Sequence, residues 1–206
     1  MNPAQPDLGA VRRHFGQAAR GYHRASTRWP WAWLRDREAA ALLALVGPVD
    51  GRRVLDLGAG AGFYTRRLLE RGARDAVVVD LSAPMVAQAS GGRTLGVVAD
   101  AASVSLRRRF DLVVVAGLLE FVGDPAAVLG NAAALASPGA VLAVLVPVDG
   151  PGGRLYRAYH QRHGFAIRLY TPAGLAALAG QAGWRIEATR AVWPYTVVAR
   201  LSLGAA

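Results

Sequence analysis

Cysteine is absent from the 206 residues, which excludes a disulfide framework, a thiolate metal site and a cysteine nucleophile. Lysine is absent too: all 24 basic residues are arginine, and against 14 acids they leave a formal charge of +10. Such a balance can draw a protein to nucleic acid, anionic lipid or acidic small molecules. A lysine-free chain rich in Ala, Arg and Gly also reads as coding bias. The arginines are scattered, Arg107 to Arg109 being the one run of three, so no nucleic-acid tail is visible. The opening residues, MNPAQPDLGAVRRHFGQAAR, lack the apolar stretch of a secretory signal. The longest uncharged stretch, Pro125 to Val148, is interrupted by Asn131 and then by Ser137, Pro138 and Gly139. That predicts a buried helix, a turn and a strand, not a membrane span. A cytoplasmic protein of one domain is expected, with 53% hydrophobic residues to fill its core.

From Arg53 onward, β-branched runs alternate with Ala/Leu-rich stretches. The runs are VLDL (54–57), AVVVD (76–80), LGVVAD (95–100), FDLVVVAG (110–117) and AVLAVLV (140–146). Helices are predicted near Phe63 to Arg71, Ala83 to Ala89 and Pro125 to Ala136. Continuous apolar strands alternating with helices indicate an α/β protein, a doubly wound parallel sheet covered on both faces. Pro48 to Arg52 joins this core to a helical N-terminal segment. After Val146 a loop rich in Pro and Gly (147–153) leads into an Arg/Tyr/His-rich stretch ending at Tyr170. Thr171 and Pro172 then begin a helix that closes at Gly183. Two last strands, Arg185 to Ala191 and Tyr195 to Leu201, flank Trp193 and Pro194. The expected organisation is an N-terminal segment (1–50), a core (51–148), an insert (149–170) and a C-terminal helix with a strand pair (171–206).

The strongest chemical signal is VLDLGAGAGFYT, Val54 to Thr65. Glycines at 58, 60 and 62 let the backbone turn sharply and approach a ligand, and the helix that follows offers free N–H groups to an anionic group. Phe63 breaks the G-x-G-x-x-G spacing of a dinucleotide site, and no Gly-Lys-Ser/Thr of a P-loop follows. Asp80 ends the second strand, where a carboxylate can accept hydrogen bonds from both hydroxyls of a ribose, and Asp100 ends the third. A lone strand-end Asp is usually a turn or cap residue. Here the aspartates stand in register with a glycine loop at the sheet edge where α/β proteins bind ligands.

On these residues the chain resembles the class I S-adenosylmethionine (SAM)-dependent methyltransferases, especially the quinone, biotin-precursor and tetrapyrrole branches, from about Val11 to Leu201. The glycine motif is joined by VVVDLSAPMV (77–86), VVADA (97–101), FDLVVVAGLLEFVGDP (110–125), SPGAVLAVLV (137–146) and YTPAGLAALAGQAGW (170–184). The resemblance implies a Rossmann-like, mostly parallel sheet of seven strands, the last antiparallel, under an N-terminal helical lid. It implies SAM as cofactor and S-adenosylhomocysteine as product. By position, Asp56, Gly58, Ala59, Gly60 and Gly62 would face the methionine part of SAM. Asp80 and Leu81 would meet the ribose, Met85, Asp100 and Ala101 the adenine, and Ala116 and Gly117 the floor beside the sulfonium.

The acceptor side is less legible. Relatives often carry His where this chain has Phe121, which leaves Glu120 as a candidate whose alternative is a packing carboxylate. The segment His14 to Ser26 resembles the cofactor-covering stretch of the quinone branch, with Tyr22 in place and His23 replacing an aspartate; both are catalytic candidates. Trp33, Tyr156, Tyr159, His160 and Arg168 are expected on the acceptor, whose chemistry would be acidic or aromatic. His160 and His163 lack a third ligand, so no metal site is expected.

The expected function is metal-independent methyl transfer to O or N, or to C, of a small molecule. A nucleic-acid methyltransferase is favoured by charge alone, since the Asn/Asp-Pro-Pro-Tyr/Phe signature is missing. A phospholipid methyltransferase in peripheral contact with a membrane would use the Arg and Trp content. A non-catalytic SAM-binding or scaffold protein is the further alternative, and the intact cofactor motifs weigh against it. Oligomeric state is left open.

Overall fold

The computed structural model describes residues 31–204. Its centre is a seven-stranded sheet in the order β3-β2-β1-β4-β5-β7-β6. The strands are β1 (Arg53–Leu57), β2 (Asp75–Asp80), β3 (Thr94–Val98), β4 (Phe110–Ala116), β5 (Ala136–Pro147), β6 (Trp184–Val192) and β7 (Thr196–Leu203). β1 to β5 run parallel, and β7 inserts antiparallel between β5 and β6. The helices are α1 (Trp31–Val46), α2 (Phe63–Glu70), α3 (Ala83–Ala89), α4 (Pro125–Leu135), α5 (Pro151–Arg162) and α6 (Pro172–Gln181). This is the predicted Rossmann-like α/β architecture with its last strand antiparallel.

The apolar runs alternate between two cores, as the period of a strand requires. Val54, Leu112, Val114, Val141, Ala143 and Leu145 face α1 and α2, with Leu34, Leu42, Val46 and Leu68 on those helices. Leu55, Val77, Val113, Val115, Leu142 and Val144 point the other way, onto Val128 and Leu129 of α4 and Leu175 of α6. Both faces are dry, so the strands read as unbroken hydrophobic sequence. Arg53 ties β1 to β4, donating from its backbone N–H to Asp111 Oδ2 at 3.0 Å.

Helix starts follow local chemistry. Ser82, Asp124 and Thr171 cap α3, α4 and α6, each accepting from a backbone N–H, with proline in the first turn. Two elements differ from the sequence reading. Pro151, Gly152 and Gly153, expected in a loop, form the first turn of α5. A Cβ on Gly152 would collide with the Pro194 carbonyl, and one on Gly153 with the Val148 carbonyl. These glycines let the helix lie directly on backbone. β5 begins at Ala136, because the Ser137 to Gly139 turn is absorbed where the β4–β5 register shifts between Phe110 and Leu112. The excursion carrying α5 is pinned at both ends: Val148 bridges Tyr170, Asp149 N–H donates to the Tyr170 carbonyl, and Tyr170 N–H donates to that of Pro147.

Candidate active site

The carboxyl ends of β1 to β4 open into a cavity of about 340 Å³, the edge at which open α/β sheets bind ligands. One half is built by the loops that leave those strands. Asp80 is its best-held polar group: Gly60 N–H donates to Oδ2 and Ser82 N–H to Oδ1, both at 2.9 Å. Burial pushes its pKa up, and these amides pull it back. Each oxygen keeps lone-pair capacity for a further donor. Ala59, Leu81, Met85, Asp100, Ala101, Ala116 and Gly117 complete this half, and Asp100 Oδ1 accepts from Ala102 N–H at 2.9 Å.

The three motif glycines all have left-handed φ, yet they differ in task. A Cβ on Gly58 would press on Leu118, and one on Gly62 on Ala89 of α3, whereas one on Gly60 would meet nothing. Gly58 and Gly60 line the cavity, and Gly62 serves as the α2 N-cap behind it.

The other half is walled by rings and carboxyls. Tyr156 stacks on Tyr195 with centroids 4.4 Å apart and planes 14° from parallel. His160 stands edge-on to Tyr156 at 4.5 Å and to Phe121 at 5.4 Å. Trp31 and Tyr159 face each other at 6.2 Å. Glu38 of α1 is held on both oxygens: Tyr64 Oη donates to Oε2 at 3.0 Å and Thr196 Oγ1 to Oε1 at 2.7 Å. Burial pushes its pKa up, against the pull of those hydroxyls and Arg35. Glu120, in the turn after β4, is fully buried. Its Oε2 has no hydrogen-bond partner, the lone buried side-chain atom so placed among the described residues. Burial, with Glu38 adding to it, raises its pKa to about 8 against the pull of its own amide. An unmade hydrogen bond of this kind costs about 1–3 kcal/mol, an expense proteins keep at sites of chemistry. The turn carrying it is fixed by Arg168 N–H, which donates to the Glu120 carbonyl at 3.0 Å, and by Tyr170 Oη, which donates to that of Leu119 at 2.9 Å.

Most of the residues singled out from sequence meet here: Gly58, Ala59, Gly60, Asp80, Leu81, Met85, Asp100, Ala101, Ala116, Gly117, Glu120, Tyr156, Tyr159 and His160 line the cavity. Four do not. Asp56 is buried below it with Oδ2 accepting from Thr65 Oγ1 at 2.6 Å, and burial raises its pKa to about 6. Gly62 packs on α3. Trp33 points outward, edge-on to Trp193 at 6.3 Å with the Arg37 guanidinium over its face, and it is Trp31 that reaches the cavity. Arg168 contributes its backbone. Tyr22 and His23 lie outside the described residues. Sequence reasoning missed Glu38, Arg35, Tyr64, Tyr195 and Thr196, which reach the cavity from α1, α2 and the start of β7. No cluster of three metal-ligating side chains occurs among the described residues.

Residues 31–189 match the family model described as a methyltransferase domain. The chain belongs to this family, the class I SAM-dependent methyltransferases. This methyltransferase is 33% identical over 180 residues to a trans-aconitate 2-methyltransferase of Methylobacterium nodulans, a match covering 82% of the chain and 69% of that relative. It spans as little as 40% of another curated relative. Among solved structures it is similar to the magnesium protoporphyrin IX methyltransferase of Synechocystis PCC 6803 with bound SAH. That match has a TM-score of 0.76 at 18% identity and covers 97% of this chain and 100% of the other. It is also similar to the Burkholderia thailandensis 1,6-didemethyltoxoflavin-N1-methyltransferase, with a TM-score of 0.76 at 23% identity over 100% of this chain and 93% of that one. No helix among the described residues is long and apolar enough to cross a membrane.

Proposed function

We propose that the methyltransferase binds SAM along the ends of β1 to β4 and passes its methyl group to an O or N of a small aromatic molecule held between α5 and the β4 turn. The observation that carries this reading is Asp80. A carboxylate pinned by two backbone amides, with lone pairs left over and facing a cavity, fits the paired hydroxyls of a ribose. The open space at Gly60 suits a ligand passing against backbone. Gly58 and Ala59 would adjoin the methionine part, Met85, Asp100 and Ala101 the adenine, and Ala116 and Gly117 the reacting end. SAM supplies an electrophilic methyl group on a sulfonium.

The chain's own contribution is to orient the acceptor, exclude water and handle one proton. Glu120 Oε2 is the group for that proton, being buried, unpartnered and at the β4 end beside Gly117. Tyr22, for closing over the sulfonium, and His23, as a base, are the further candidates from the sequence. Replacing Asp80 with Ala removes charged hydrogen bonds worth roughly 1.5–3 kcal/mol and weakens SAM binding more than tenfold. Calorimetric titration checks this, and an unchanged affinity overturns the assignment.

The identity to a trans-aconitate enzyme favours a second reading, a tricarboxylate acceptor. Three carboxylates need cationic partners, and Arg35 is the one arginine lining the cavity among the described residues. Its guanidinium lies 4.6 Å over the Phe63 ring.

A further inference from the structure

The acceptor half of the cavity puts flat walls and acidic groups in one place. The stacked pair Tyr156–Tyr195 and the His160 edge give faces against which a ring can lie. Glu120 of the β4 turn lines the same cavity, and its Oε2 is the one buried side-chain atom without a hydrogen-bond partner among the described residues. A ligand that offers an O–H or N–H there repairs an unmade hydrogen bond. Glu38 differs, since Tyr64 and Thr196 already donate to its two oxygens and a ligand there repairs no unmade bond. It acts at a distance, as a second acidic group whose field reaches Glu120. The other ionisable groups around Glu120 are Tyr170, whose hydroxyl is committed to the Leu119 carbonyl, and Arg168, which interacts with Tyr170. His160 stands across Phe121, and Arg35 is drawn to Glu38. Among the described residues, an anion brought into this chamber would meet the carboxyls of Glu38 and Glu120, the rings of His160 and His163, and Arg35, whose guanidinium is drawn to Glu38.

Resting on the acceptor reading above, we propose that, once Glu120 is ionised, the chamber admits a flat, uncharged ring bearing an O–H or N–H donor and turns away the same ring bearing a carboxylate. Glu120 is the selecting residue. The discrimination comes from like-charge repulsion at a buried carboxylate and from the donor that only the neutral ring supplies.

Paired ligands of one skeleton test this: 2-naphthol, neutral with one O–H, and 2-naphthoate, an anion. Each is titrated calorimetrically into the full chain at pH 6.5 and pH 8.5, and S-adenosylhomocysteine is titrated separately. At pH 8.5, where Glu120 with its pKa near 8 is mostly ionised, 2-naphthol binds at least tenfold more tightly than 2-naphthoate. Naphthoate affinity falls several-fold between the two pH values. In Glu120→Gln that fall disappears and the gap narrows to about threefold or less. Equal binding of the two rings at pH 8.5, no binding of either, or an unchanged pH-dependent gap in E120Q overturns the proposal. If E120Q does not fold, the wild-type series alone decides the charge preference. Loss of ring preference with S-adenosylhomocysteine still bound removes only this inference. The expected preference without S-adenosylhomocysteine binding removes the SAM reading and leaves the chamber chemistry standing.

Discussion

At the scale of single residues, burial of carboxyls sets how stability responds to pH. Glu120 holds its proton in the folded protein up to about pH 8, while the unfolded chain releases it near the ordinary value of 4.5. Its contribution to stability is therefore complete below about pH 4.5 and is lost as pH rises through 8. Asp56, raised to about 6, and Glu38, raised in the same direction, have the same sign. Wild-type melting temperature should fall from pH 5 to pH 8.5, and Glu120→Gln should remove about 5 °C or more of that fall, measured by calorimetric melting. An equal fall in both proteins contradicts the buried, unpartnered carboxyl. None of this was visible in the sequence beyond Glu120 as a candidate. Glu38 is paired with Thr196, far along the chain, and nothing local to WLRDREAA marks Glu38 as buried and Asp36 and Arg37 as exposed.

At the scale of elements, sequence reasoning succeeded where the signal is local. The β1 to β4 runs, the glycine turn and the Thr171 cap were readable because a buried parallel strand is apolar throughout and a cap is a one-residue decision. It failed at α5, where Pro-Gly-Gly resembles a loop unless the neighbouring backbone is known. It also misplaced Trp33, since whether Trp31 or Trp33 turns inward depends on where α1 meets the sheet. The α5 glycines give a test. Gly153→Ala forces a Cβ onto the Val148 carbonyl, so the helix must shift, at an overpacking cost of about 1–3 kcal/mol. Urea unfolding should report that loss. Affinity for 2-naphthol should drop severalfold while S-adenosylhomocysteine affinity holds, because the amides that hold Asp80 come from Gly60 and Ser82, away from α5.

At the scale of the whole molecule, the formal charge of +10 leaves the arginines in mutual repulsion, only part of it relieved by exposed pairs such as Arg67–Asp36 and Arg185–Glu187. Raising NaCl from about 20 to about 300 mM should raise the melting temperature by screening that repulsion. A fall would mean that the surface pairs outweigh it. The bridge between Val148 and Tyr170 has a further consequence. The excursion that walls the aromatic half of the cavity leaves and rejoins the body of the protein at adjacent points; it reaches the β4 turn through Arg168 N–H and His160, and it takes no part in the hydrogen bonds on Asp80. It is built as a cassette. A segment of different sequence grafted between those two points should change which rings the cavity holds and leave the bonds on Asp80 as they are.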